Sequence, residues 1–162
     1  MWTRCWQICG RSKHWMNNST FEQEIRKKGS ILYRNVGDSM RPLIRQGRDL
    51  VEIIAKPQGR LKKYDVALYR RDSGQYVLHR IVKVCKEDYV ICGDNRYSRE
   101  YGIDDEHIIG VLSAVIRDGK PLPVTSKRYR CYVHLWCDLF YIRAAVLFCR
   151  SLPKRVKRKF CR

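Results

Sequence analysis

Short apolar runs separated by turn residues dominate the middle of this 162-residue chain. Runs rich in strand-forming residues occupy positions 31–36, 50–55, 66–69, 76–84, 89–91 and 108–116. Turn signals such as Gln-Gly, Asp-Ser-Gly and Asp-Gly punctuate the segments between them. This spacing predicts a mainly β fold, built as an antiparallel sheet or a partly open barrel.

Two helical extensions are predicted to flank this β domain. Ser19 and Glu22 have the spacing of a capping box and Gly29 is placed as a stop, which predicts a short N-terminal helix of about ten residues. Apolar residues between positions 129 and 148 recur with broadly helical spacing and predict a C-terminal helix. We therefore expect an N-terminal helical extension over residues 1–30, a domain over 31–125, and a basic amphipathic helix and tail over 126–162.

Positive charge is concentrated at the C-terminal end. The chain has a net charge of +18, and residues 127–162 hold eleven Lys or Arg against Asp138 alone. Charged positions interrupt the apolar segment, which argues against a membrane span of about 20 apolar residues. An aromatic-rich helix with a basic tail fits an anionic membrane surface, and it fits equally a helix docked on the domain with a solvated tail. Nucleic acid is disfavoured as a partner because no recognition motif is present.

Eight cysteines are scattered along the chain without a Cys-x-x-Cys pair or zinc-finger spacing. Cys131, His134 and Cys137 form a ligand set only on paper, because three side chains along one helix would not converge well on an ion. We expect no metal centre. Scattered thiols without a recognisable signal peptide or transmembrane span predict a cytoplasmic or peripheral membrane protein.

Three blocks within the predicted domain carry candidate chemistry. They read Gly-Asp-Ser-Met-Arg-Pro at 37–42, His-Arg at 79–80 inside an apolar run, and Gly-Asp-Asn-Arg at 93–96. A serine hydroxyl needs an adjacent base to accept its proton during attack. Histidine suits this role because its pKa of roughly 6.5 leaves the neutral form well populated near pH 7. A turn serine or a strand histidine alone would mean little, so the signal lies in their combination.

In order and wording these blocks resemble the signal peptidase I family and its self-cleaving LexA-type relatives, over residues 31–116. The resemblance implies that Ser39 is the nucleophile and that His79 is the general base, as in the histidine branch of the family. It implies that Gly37, Asp38 and Met40 bind substrate or the oxyanion. It also implies a signal peptidase/LexA-like antiparallel fold and a reaction that needs no cofactor.

The chain departs from the family pattern at the supporting acid and at the membrane. Family members usually continue to Asp-Ser-Arg or Asp-Asp-Arg, whereas this chain has Tyr-Ser-Arg at 97–99. Asp94 matches the motif and is the preferred third catalytic residue, while Asp104 and Asp105 are alternative acids. Family signal peptidases also carry a membrane span shortly before the serine, and nothing comparable precedes Ser39 here.

These observations favour a serine endopeptidase that removes a signal or leader segment from a protein or peptide precursor. The missing acid triplet motivates an alternative, a catalytically degenerate module that binds peptides on the same scaffold. A third possibility is an adaptor that works through its basic tail on a membrane surface or on nucleic acid. The expected partners are a precursor substrate and an anionic membrane surface.

Overall fold

The computed structural model describes residues 20–139, together with Arg143 and Ala145. Within these residues the chain forms eight β-strands, two α-helices and one π-helical segment. The helices are α1 (Phe21–Lys28) and α2 (Lys127–Val133), and the π-helical segment (His134–Asp138) continues α2. The strands are β1 (Ser30–Arg34), β2 (Leu50–Ala55), β3 (Val66–Arg70), β4 (Tyr76–Val84), β5 (Asp88–Cys92), β6 (Glu100–Asp104), β7 (Ile108–Arg117) and β8 (Lys120–Pro123).

The strands form one antiparallel sheet in the order β1-β2-β7-β3-β4-β5-β6, and β8 also pairs with β7. Strands β1 and β6 lie at the two ends of this order, so the described strands do not close into a barrel. The prediction of a mainly β fold with a short helix at each end is confirmed. Strands β2 and β4 have the predicted bounds because turn residues bracket each run of strand-forming residues.

Two strands were not predicted, because their sequences lack the usual strand signals. Strand β6 has the sequence Glu-Tyr-Gly-Ile-Asp, is largely solvent-accessible and shows no clear apolar alternation. Strand β8 contains two prolines, which cannot donate hydrogen bonds to a ladder and are usually excluded from central strands. The prolines are tolerated because, among the described strands, β8 pairs with β7 alone, so one side of the strand needs no hydrogen-bonded neighbour. Both strands owe their conformation to a pairing partner more than to local preference.

Helix α1 begins one residue later than the predicted capping box implies. Thr20 is the N-cap: its hydroxyl accepts from the Gln23 N–H (3.4 Å), and the Gln23 side chain accepts from the Thr20 N–H (3.2 Å). The predicted capping box starting at Ser19 is therefore wrong by one position. Gly29 ends the helix as predicted, in the left-handed conformation with a φ of 75°. Ile25 is the buried residue through which α1 packs on the sheet.

The turn region after β1 is anchored by apolar side chains that enter the core. Met40 and Ile44 are fully buried and Leu43 is nearly so. They share one apolar cluster with residues of β2, β7 and α2. Complete burial of a side chain of this size contributes roughly 1.5–3 kcal/mol. The core therefore fixes the backbone position of Ser39, which immediately precedes Met40.

The described part of the C-terminal helix is docked on the sheet. Ser126 caps α2, its hydroxyl accepting from the Tyr129 N–H (3.2 Å), and Tyr129 and Val133 are buried in the core. Among the described residues no helix is both long and apolar enough to cross a membrane. The basic run at 154–159 lies outside the described residues, so its contact with an anionic membrane surface stays a prediction.

A buried carboxylate anchors the turn region that precedes β2. Asp49 is fully buried and accepts hydrogen bonds from the Arg45 backbone N–H (2.9 Å), from Arg45 Nη2 (2.9 Å) and from Arg117 Nη2 (2.9 Å). Burial disfavours the charge of the Asp49 carboxylate, but hydrogen bonds from the two arginines hold its pKa below the ordinary value. Asp49 thus ties the turn region to β7.

Replacing Asp49 with asparagine should lower the free energy of unfolding by about 1–3 kcal/mol, because the two arginines lose a buried charged partner. Since folding lowers the pKa of Asp49, its contribution is present above the unfolded pKa of about 4 and is lost as the pH falls through the folded value. Urea unfolding of wild type and Asp49→Asn near neutral pH and in acid measures both effects. Asp118→Asn is the matched control because Asp118 also contacts Arg45 but is 67% exposed. Equal losses in the two variants would contradict this account.

Candidate active site

Ser39 lies in a run of tight turns between β1 and β2. The Arg41 N–H donates to the Asp38 carbonyl (3.1 Å) and the Ile44 N–H donates to the Met40 carbonyl (2.9 Å). Gly37 adopts a φ of 106°, which non-glycine residues rarely reach. The Ser39 side chain is partly exposed, whereas the next residue is buried. The turn therefore leaves the Ser39 side chain accessible, while the buried Met40 side chain anchors the backbone beside it.

The loop of residues 93–96 is bound directly to the serine turn. The Asn95 N–H donates to the Ser39 carbonyl (2.7 Å), and the Asn95 side-chain amide donates to the Asp38 carbonyl (3.1 Å). Arg96 Nη2 pairs with the Asp38 carboxylate at 2.6 Å. Two of the three blocks singled out in the sequence therefore form one unit.

His79 on β4 approaches the same unit through Gly93. A Cβ atom at Gly93 would lie 2.8 Å from the Ser39 carbonyl oxygen and 3.1 Å from His79 Nε2. Real Cβ atoms do not tolerate a 2.8 Å approach to backbone, so glycine is needed where the serine turn and the imidazole converge. No hydrogen bond among the described residues uses His79 Nε2 or the Ser39 hydroxyl. All three sequence blocks thus meet at one place.

Glu100 is the acid that lies beside His79. Its carboxylate Oε1 is 3.2 Å from His79 Nδ1. Tyr69 donates to Glu100 Oε2 (2.8 Å), and Arg71 donates through Nε (2.9 Å) and Nη2 (2.6 Å). Nδ1 also lies 3.4 Å from the Tyr69 hydroxyl, which donates its own proton to Glu100. Because the carboxylate can only accept and the hydroxyl proton is already used, these contacts favour the tautomer with the proton on Nδ1 and leave Nε2 as the acceptor.

Sequence reasoning missed Glu100, although it directly follows the Tyr-Ser-Arg stretch at 97–99. Its position as the first residue of β6 was hidden because β6 itself was not recognised. The sequence signal was its place directly after positions 97–99, where the family that the chain resembles usually has an acid-containing triplet. Proximity to His79 depends on the pairing of β5 with β4 and with β6.

The electrostatics of the pair keep Glu100 ionised and His79 neutral near pH 7. Burial lowers the pKa of His79 below its ordinary value, and the nearby Glu100 carboxylate only partly opposes this shift. Burial alone would raise the pKa of Glu100, but hydrogen bonds from Arg71 and Tyr69 outweigh it and lower the pKa. The imidazole is therefore in its proton-accepting form.

Asp94 occupies a different position from the one expected of a supporting acid. It is fully buried, and its carboxylate binds Arg80 through Nε (2.8 Å) and Nη2 (2.7 Å) and accepts from the Tyr132 hydroxyl (2.9 Å). These contacts engage both carboxylate oxygens, and His79 is not among the partners. Asp94 braces the loop that carries Gly93, while Glu100 occupies the place next to the histidine.

The alternative acids also lie apart from His79. The Asp104 carboxylate binds His107 Nδ1 (2.8 Å), and the Asp105 carboxylate pairs with Lys56 Nζ (2.6 Å). Asp104 pairs with Asp88 and Glu100 with Ile91, so the two acids are separated by the length of three residues of β5, roughly 10 Å. Only the first acid of this strand reaches the histidine.

The possible ligand set of Cys131, His134 and Cys137 does not form a metal site in the described part of the chain. His134 Nδ1 is instead 2.9 Å from the Asp138 carboxylate. The described residues contain no group of three or more side chains arranged to hold a metal ion. Cys131 and Cys137 are free thiols, as are Cys85 and Cys92.

No family model matches the chain, and no curated protein matches it significantly. The site brings together a turn serine, a histidine with its Nε2 towards the turn, and a carboxylate beside the opposite ring nitrogen.

The pKa values of His79 and His107 should be shifted in opposite directions from the ordinary histidine value. His79 should titrate below pH 6.5 because of burial, and His107 above it because hydrogen bonds to Asp72 and Asp104 stabilise its charged form. Glu100→Gln should lower the pKa of His79 further, since it removes a negative charge that favours the imidazolium. NMR titration of the imidazole signals measures both values.

Asp72→Asn provides the matched control for this titration. It should lower the pKa of His107, whose Nε2 lies 3.1 Å from the Asp72 carboxylate, and leave the pKa of His79 unchanged. A His79 pKa that does not respond to Glu100→Gln would rule out the assigned contact.

Proposed function

We propose that this protein is a serine endopeptidase in which Ser39 is the nucleophile and His79 is the general base. Glu100 positions the base in place of the expected Asp94. The observation that carries the proposal is the convergence at Gly93, where the Ser39 carbonyl and His79 Nε2 approach the same point while Nδ1 faces a carboxylate. Nucleophile, base and orienting acid in this order are the parts of a serine hydrolase triad.

Each group has a defined part in the reaction. His79 Nε2 accepts the Ser39 hydroxyl proton as the oxygen attacks the scissile carbonyl, and the Glu100 carboxylate stabilises the imidazolium that forms. His79 then donates the proton to the leaving amine, and a water molecule activated by His79 hydrolyses the acyl-enzyme. The hydroxyl and Nε2 are not hydrogen-bonded in the free protein, and such contacts often tighten only in the substrate complex.

Backbone donors on the serine turn are the proposed oxyanion site. No hydrogen bond among the described residues uses the N–H of Ser39 or of Met40. The Met40 side chain is buried, so this residue anchors the turn and offers only its backbone to a substrate. Gly37 shapes the turn through its positive φ, and Asp38 holds Arg96. Preorganised N–H groups of this kind stabilise the developing negative charge.

The proposed substrate is an extended segment of a protein or peptide precursor. The resemblance to signal peptidase I suggests a signal or leader segment, which would be released by one internal cut. Ser39, His79 and the backbone donors supply the nucleophile, base and oxyanion stabilisation, so the reaction calls for no metal or organic cofactor.

The alternative is a degenerate module that binds such a segment without cutting it. Its motivation is the Tyr-Ser-Arg stretch at 97–99, which lacks the acid of the family triplet. Glu100 weakens this alternative because it supplies a carboxylate at the histidine from the next position along the chain. Labelling of the serine separates the two functions, since a binding module needs no activated hydroxyl.

A fluorophosphonate probe should label wild-type protein and fail to label Ser39→Ala. His79→Ala should slow labelling by at least about 100-fold, the usual contribution of a general base. Because neutral His79 is required and its pKa is lowered, the labelling rate should fall in acid with a midpoint below pH 6.5. Ser98→Ala, an exposed serine near the site, is the control and should label like wild type. Equal labelling of Ser39→Ala would rule out the proposal.

Glu100→Gln should slow labelling by about 10- to 1,000-fold, because the amide cannot stabilise the imidazolium and can favour the wrong tautomer. Its acid limb should move to lower pH, in step with the lowered pKa of His79. Asp105→Asn is the matched control, because Asp105 was an alternative acid but pairs with Lys56. If Asp105→Asn slowed labelling and Glu100→Gln did not, the assignment of the positioning acid would be reversed.

A further inference from the structure

We infer that the C-terminal helical segment, meaning α2 and the π-helical segment at residues 127–138, positions the catalytic serine. It acts through Trp136 and Tyr132 on the loop of residues 93–96. The inference rests on the proposed function, and it assigns Trp136 as a positioning residue outside the triad. A chain of hydrogen bonds that passes through one peptide unit connects Trp136 to the serine turn.

One peptide unit lies between Trp136 and Ser39. Trp136 Nε1 donates to the Asp94 carbonyl at 2.8 Å. The N–H of the next residue, Asn95, donates to the Ser39 carbonyl at 2.7 Å. The Asp94 carbonyl and the Asn95 N–H belong to the same planar peptide group, so they cannot move independently. The indole therefore sets the orientation of the donor that holds the serine turn.

Tyr132 holds the same loop through the Asp94 side chain. Its hydroxyl donates to Asp94 Oδ2 at 2.9 Å. The rings of Tyr132 and Trp136 stack with their centroids 6.4 Å apart and an interplanar angle of 16°. Residues four apart lie on the same side of a helical segment, so Tyr132 and Trp136 can hydrogen-bond the side chain and the carbonyl of Asp94 together.

The same helical segment also reaches the residue that follows His79. Arg80 is fully buried and donates from Nη1 to the Tyr129 hydroxyl (3.0 Å). Burial disfavours its charge, but the Asp94 carboxylate beside it raises the pKa of Arg80 above its ordinary value. A charged Arg80 thus joins the strand of His79, the loop of Asp94 and α2. The helical segment contacts the supports of both the nucleophile and the base.

These contacts are directional, which distinguishes them from ordinary packing. An apolar contact tolerates a shift of a few tenths of an ångström, whereas a hydrogen bond weakens steeply when its angle closes. A misplacement of about 1 Å at a reacting group can cost about 100-fold in rate. The outward-facing residues of the segment, such as Leu135 at 63% exposure, contribute nothing to this chain of bonds.

Trp136→Phe tests the inference, since it keeps an aromatic ring but removes the indole N–H together with the second ring of the indole. We expect fluorophosphonate labelling of Ser39 to slow by about 10- to 100-fold. The acid limb should stay at the wild-type pH because Glu100 and His79 are untouched. In hydrogen exchange, the Asn95 amide should lose protection while the amides of β4 keep theirs. A purely structural role for Trp136 would not move one amide selectively.

Leu135→Ala is the matched control from the same segment and should label and exchange like wild type. Tyr132→Phe is the second variant if Trp136→Phe does not fold, and it should also slow labelling through loss of the bond to Asp94. Wild-type labelling and Asn95 protection in Trp136→Phe or Tyr132→Phe would overturn the inference and leave the proposed function intact. Failure of the wild type itself to label would instead remove the proposed function.

Discussion

The buried ion pair between Arg80 and Asp94 is the interaction on which the site depends. Charges this deeply buried are costly unless their hydrogen-bonding capacity is satisfied. Here Arg80 makes two bonds to Asp94 and further bonds to the Tyr64 carbonyl and the Tyr129 hydroxyl. The pair therefore fixes the relative positions of β4, the loop after β5, and α2.

Two carboxylates close to the candidate site have different tasks because their surroundings differ. Asp94 is enclosed and fully engaged by a guanidinium and a phenol, so it serves as a brace. Glu100 is partly exposed, is held by Arg71 and Tyr69, and still has an oxygen facing His79 Nδ1. The motif match in the sequence thus identifies Asp94 as a structurally important acid, but in the structure Glu100 is the acid that contacts His79.

The sequence predicted the sheet, the strand of His79 and the helix stop at Gly29, because each has a strong local signal. It also singled out Ser39, His79 and the Gly-Asp-Asn-Arg block, which lie together in the structure. It did not predict β6 or β8, since neither has the composition of a strand. With β6 unrecognised, the acid at its start could not be connected to the histidine.

The residues of the site and the secondary structure that carries most of them follow from local chemistry: glycine for a positive φ or a close approach, strand formers between turns, and apolar anchors such as Met40. Which acid lies beside the histidine, and how Trp136 connects to the Ser39 carbonyl through a peptide unit, were decided only by tertiary structure. The physical reason is that these contacts act over about 3 Å. The residues that they join lie 21 positions apart for His79 and Glu100, 42 for Trp136 and Asp94, and 56 for Asn95 and Ser39, and only strand pairing and helix docking bring them within that distance.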